Sequence, residues 1–129
     1  MLRITLFLLT ALLLAGCSAP GVTGSYRQIT MAEAVSLMES ESGFLLLDVR
    51  RPDEFEAGHI PGAVNIPNET IGTDEIPALP QKDQLILVYC RSGNRSKQAA
   101  EKLSALGYTN VVEFGGILDW TGETVPGKD

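Results

Sequence analysis

The chain has 129 residues, 10 basic and 16 acidic side chains, and a formal charge of −6. That length holds one ordinary domain at most, with room for a modest hydrophobic core. The acidic balance argues against a nucleic-acid partner, which needs a basic face, and against electrostatic adhesion to anionic lipid.

The N-terminus has a composition of its own. Residues 1–16, MLRITLFLLTALLLAG, carry one positive charge at Arg3 and then an apolar stretch interrupted only by threonines. This is the pattern of a secretory signal, too short for a comfortable transmembrane span. Its ending, Leu14-Ala15-Gly16-Cys17, resembles a bacterial lipobox. The resemblance implies cleavage after Gly16, a diacylglyceryl group on the Cys17 thiol, and acylation of the new N-terminus. The alternative is an ordinary cleaved signal with a chance cysteine. Loss of residues 1–16 removes Arg3 and deepens the negative balance, so the acyl chains are expected to supply the membrane attachment, and more than one chain suffices. Residues 17–25 then form the lipidated cysteine and a small-residue tether, and residues 26–129 the folded domain. The expected location is the bacterial cell envelope, with the domain facing the periplasm or the extracellular side.

Thr30 opens the first predicted helix, because Thr-x-x-Glu with Glu33 is a capping box. Met31, Ala34, Val35 and Met38 share one helical face, and Gly43 is a stop signal. Three apolar runs follow: FLLLDV (residues 44–49), QLILVY (84–89) and TNVVEF (109–114). Runs apolar on both faces suit parallel strands covered by helices on each side. Between the first two runs, Pro52 with Asp53 and Glu54 predicts a single helical turn, and residues 64–66 a short strand. Between the last two, SKQAAEKLSAL (96–106) has helical periodicity and ends at Gly107. Strand, helix and strand in that order make a right-handed βαβ unit. The expected fold is α/β, a small parallel sheet flanked by helices on both sides, with Asp48, Arg50, Cys90 and Arg91 near the C-terminal ends of strands, where such sheets bind ligands.

With Cys17 assigned to lipid, Cys90 has no intramolecular partner in an oxidising compartment. It begins CRSGNRS, a strand end leading into a helix. A sharp turn there would aim the N–H groups of Arg91–Arg95 inward, beside the free N–H groups of the helix start, and Gly93 permits positive φ. Such a cradle stabilises a thiolate, the reactive form of cysteine, and Arg91 and Arg95 could hold an anionic substrate during attack. The competing reading of Cys90 is a buried structural thiol, although Arg91, Ser92, Asn94 and Arg95 make poor apolar neighbours. One histidine and one free cysteine cannot build a usual transition-metal site, so neither metal nor cofactor is expected.

CRSGNRS after an apolar strand, LLDVR (46–50) and GHIPGAVNIP (58–67) upstream, and GGILDW (115–120) downstream resemble, in that order, the single-domain rhodanese family. The resemblance spans residues 26–120. It implies sulfur transfer: a small anionic sulfane-sulfur donor such as thiosulfate, a persulfide on Cys90, and a thiophilic acceptor, either cyanide or a thiol. By position, the residues from Arg91 through Ser92, Gly93, Asn94 and Arg95 to Ser96 would bind the donor. Asp48 and Arg50 would brace the loop, and His59 and Trp120 are read as structural. Two further function classes remain open. A related loop in the same fold serves phosphatases and arsenate reductases with Cys-x5-Arg, whereas here Cys90-x4-Arg95 is one residue shorter, which favours a single added sulfur over a tetrahedral oxyanion. The other is a non-turnover persulfide carrier or binding module serving a protein partner at the envelope.

Overall fold

The structure is a computed structural model that describes residues 25–129. The signal segment, Cys17 and most of the tether lie outside the described residues. The elements are β1 (Arg27–Gln28), α1 (Met31–Ser40), β2 (Leu45–Asp48), α2 (Pro52–Ala57), β3 (Val64–Asn65), β4 (Ile86–Cys90), α3 (Asn94–Ala105) and β5 (Val111–Gly116). Short 3-10 turns occupy Asn68–Thr70 and Ile117–Asp119. The five strands form one sheet in the order β1-β5-β4-β2-β3, and every pairing is parallel.

Strand alternation sorts the core into two layers. Leu47, Val49, Val88 and Val111 face α3, where they meet Ala99, Ala100 and Leu103. Leu46, Leu87, Tyr89, Val112 and Phe114 face the other way, toward Ala34 of α1 and Phe55 of α2. The expected two-sided parallel sheet is therefore the observed one. Each fully buried leucine or valine contributes about 1.5–3 kcal/mol, and both sheet faces are lined with them.

Several boundaries differ from the sequence expectation. α1 ends at Ser40, three residues before Gly43, where a polar and acidic run gives the negative helix end nothing to favour continuation. Gly43 instead takes φ 73° in the turn entering β2. The Thr30 hydroxyl accepts from the Glu33 N–H at 3.1 Å as a capping box requires, and it also donates to the Glu33 carboxylate at 3.0 Å. α2 runs six residues rather than one turn. α3 starts at Asn94, two residues early, because Gly93 at φ 114° supplies its N-cap. β1 has two exposed polar residues and no hydrophobic period, so the sequence carries no sign of it.

Candidate active site around Cys90

Cys90 is the last residue of the central strand β4, and the chain turns at Arg91-Ser92-Gly93 into α3. The neighbouring strand fixes this turn. Val88 pairs with Glu113 but Cys90 pairs with Gly116, so β5 carries an extra residue at a bulge. Gly115 absorbs the bulge at φ 96°. Gly116 lies against the loop so closely that a Cβ there would collide with the Arg91 carbonyl and the Ser92 nitrogen. The Leu118 N–H donates to the same Arg91 carbonyl at 3.2 Å.

The Cys90 side chain is buried, and the residue is only 1% exposed. The Gly93 N–H donates to its Sγ at 3.0 Å, and the Ser96 Oγ lies 3.4 Å away. Both partners stand at the first turn of α3, whose leading N–H groups have no intrahelical acceptor. That positive helix end and the Gly93 donor favour negative charge at this place. Ser96 is itself fully buried. Its Oγ is 2.6 Å from Glu113 Oε1 and 2.8 Å from the Gly93 carbonyl. The Gly115 N–H donates to Glu113 Oε1 at 2.8 Å.

The basic residues divide. Arg91, Ser92 and Asn94 are exposed. Arg95 forms a two-pronged pair with Glu54 of α2, at 2.6 and 3.1 Å. Hydrogen bonding to Arg95 holds the Glu54 carboxyl at about 2, well under its ordinary 4.5, and Glu54 in turn raises the Arg95 guanidinium further. Glu54 also accepts from the Arg51 N–H at 3.2 Å. The pair thus ties the start of α2 to the start of α3, on either side of the loop.

Asp48 and Arg50 occupy the opposite sheet face from Cys90, by the alternation that puts Leu46 with Tyr89 and Leu47 with Cys90. Both are buried. Arg50 Nε and Nη2 donate to the Asp48 carboxylate at 2.6–3.0 Å, and Nη2 also reaches the Gly58 carbonyl at 2.8 Å. The amide of Asn65 donates to the carbonyls of Asp48 and Arg50. Tyr89 receives the Ile60 N–H on its hydroxyl at 3.1 Å, and burial, with the Asp48 charge next, raises its phenol well above the ordinary value. This network joins β2 and β4 to the segment between α2 and β3. His59 is buried, stacked on Phe55 at 3.7 Å, with Nδ1 2.9 Å from the Phe55 carbonyl. Trp120 packs on the α1–α2 layer and donates from Nε1 to the Glu123 carbonyl. Among the described residues no cluster of His, Cys, Asp and Glu could hold a metal ion.

A family profile described as Rhodanese-like domain matches residues 30–123. The chain belongs to the rhodanese-like domain family. Among curated relatives it is similar to the thiosulfate sulfurtransferase PspE of Escherichia coli, 41% identical over 73 residues, which are 57% of this chain and 70% of that protein. It is also similar to YrkF of Bacillus subtilis, named a putative sulfur carrier protein, at 35% identity over 103 residues covering 78% of this chain and 54% of the relative. Among solved structures, a rhodanese-like domain from Anabaena superposes with a TM-score of 0.70 at 29% identity, covering 81% of this chain and 82% of that one. A rhodanese-like domain with relatives of this kind is a rhodanese-type sulfurtransferase.

Two acidic residues of the rhodanese-like site escaped sequence reasoning. Glu54 looked like an ordinary first-turn acid, and nothing local marks it as the partner of Arg95, 41 residues away. Glu113 carried a usable signal: an acid inside the TNVVEF run, on a strand read as buried on both faces, requires a partner.

Proposed function

We propose that Cys90 accepts the sulfane sulfur of thiosulfate or a similar small anion, carries it as a persulfide, and passes it to cyanide or a thiol. The Cys90 thiolate forms a bond to the outer sulfur of thiosulfate while that sulfur's bond to the sulfonate breaks, and sulfite leaves with the electron pair. Attack by cyanide on the outer persulfide sulfur yields thiocyanate and regenerates the thiolate. The observation that carries this reading is the Gly93 N–H donated to Sγ at 3.0 Å, at the positive end of α3. A nucleophile with a fixed donor and a helix N-terminus beside it is suited to bearing charge on the attacking and on the added sulfur. Arg91 is the exposed basic residue that follows Cys90 in the chain and would draw the donor in, with the exposed Ser92 and Asn94 of the same loop. Arg95 is committed to Glu54 and would shape the loop.

Steady-state thiocyanate formation from thiosulfate and cyanide tests the proposal. Wild type should turn over repeatedly, and Cys90→Ser should form none. The name of the YrkF relative brings in the carrier reading: a single loading without sustained turnover would support that reading over an enzyme.

The Cys17 lipid anchor and an envelope location belong to the same proposal, resting on the lipobox-like Leu14–Cys17. Cell fractionation checks them. Wild type should sediment with membranes and Cys17→Ser should move to the soluble fraction, while an unchanged distribution contradicts the anchor.

A further inference from the structure

The Ser96 hydroxyl has one proton and sits among acceptors. Glu113 Oε1 is 2.6 Å away, the Gly93 carbonyl 2.8 Å, the Gly115 carbonyl 3.4 Å, and Cys90 Sγ 3.4 Å. Ser96 is fully buried and Glu113 is 3% exposed. Sulfur and carboxylate thus share one hydroxyl within a buried site, and with the sulfur as a thiol or the carboxylate as an acid this chain holds one further proton. The hydrogen bonds allow that proton two positions. Either the thiol donates to Ser96 while Ser96 donates to Glu113, or Glu113 as the acid donates to Ser96 while Ser96 donates to the thiolate.

We propose that Ser96 and Glu113 are the proton relay of Cys90, switching the residue from thiol to thiolate without moving net charge into or out of the buried site. In the forward step the S–H proton passes to Ser96 Oγ as the Ser96 proton passes to Glu113 Oε1. One S–H bond breaks and one carboxyl O–H bond forms, and the sulfur keeps its electron pair for attack. Glu113 also lines a recess of about 310 Å³ together with Ser92, Gly93, Lys97, Gly115 and Asp119. The titratable groups facing Glu113 are Cys90 from β4, Lys97 from α3, Asp119 from the final turn, and Tyr26 ahead of β1. Glu113 acts through Ser96 and is therefore a positioning and proton-holding residue. The inference rests on the sulfur-transfer reading only for the identity of the electrophile.

The test is the rate of carbamidomethylation at Cys90 by iodoacetamide, read by peptide mass on the full chain across the pH range. Glu113→Gln and Ser96→Ala should each react about tenfold or more slowly at about pH 6, and recover to within about twofold of wild type near pH 9.5, where hydroxide removes the proton directly. Ser96→Thr, which retains a hydroxyl, should follow wild type throughout. Slowing by one factor at every pH would mean a packing role and overturn the relay. Unchanged rates, or faster reaction near pH 6 from relief of charge repulsion, would overturn it as well. If Glu113→Gln does not fold, the Ala and Thr variants of Ser96 decide the matter. Iodoacetamide carries no sulfane sulfur, so failure of the relay and failure of sulfur transfer are separate results.

Discussion

At the scale of residues, the ion pair between Glu54 and Arg95 holds the loop from outside, while the Cys90–Ser96–Glu113 chain organises it from within. Glu54 is held at about 2 in the folded protein, under its ordinary 4.5. A carboxyl lowered on folding adds stability that is fully present above its unfolded value and is lost as pH falls through the folded one. Because Glu54 and Arg95 keep 14% and 29% of their side-chain surface, the contribution is screened and amounts to about 1–2 kcal/mol. Glu54→Gln should therefore unfold at lower denaturant than wild type at neutral pH, and the gap should close toward about pH 2. A gap that persists unchanged in acid would show that the pair contributes through packing instead. The sequence alone gave little access to this pair. It points Arg95 at a substrate because the arginine follows a cysteine in a glycine-bearing loop, and only the folded chain brings Glu54 beside it.

At the scale of elements, the end of β5 sets the shape of the active loop. Gly116 has no side chain because the Arg91–Ser92 backbone occupies the space where one would stand. Gly116→Ala must push main chain rather than a flexible side chain, at a cost of about 1–3 kcal/mol. We expect a folded but less stable protein in which Cys90 alkylation and thiocyanate formation fall together, because the Gly93 donor moves with the loop. Circular dichroism with the two rate measurements checks this, and an Ala variant with unaltered rates would contradict it. The elements were legible where periodicity was strong: 44–49, 84–89 and 96–106 all lie on observed elements to within two residues. Their precise limits were not, since glycines such as Gly93 at φ 114° set where α3 begins, and a bulge such as that at Gly115 depends on the partner strand.

At the scale of the whole molecule, a parallel sheet covered on both faces places the ends of β2 and β4 side by side and turns one side chain from each to opposite faces. Cys90 goes to the α3 layer with Ser96 and Glu113. Asp48 and Arg50 go to the other, where they bind β2 to Gly58 and Asn65 rather than approach the sulfur. The apolar runs made the fold class and the position of the cysteine readable from the chain. The division of polar residues between the two faces follows from the register of β2 against β4, a long-range pairing that local spacing does not encode. The account as a whole turns on Cys90 bearing a transferable sulfur, and intact mass after exposure to thiosulfate tests that most directly. Wild type should gain the mass of one sulfur atom, cyanide should remove it, and Cys90→Ser should gain nothing; a wild type that stays at its original mass, or a Cys90→Ser variant that gains the same increment, would contradict the account.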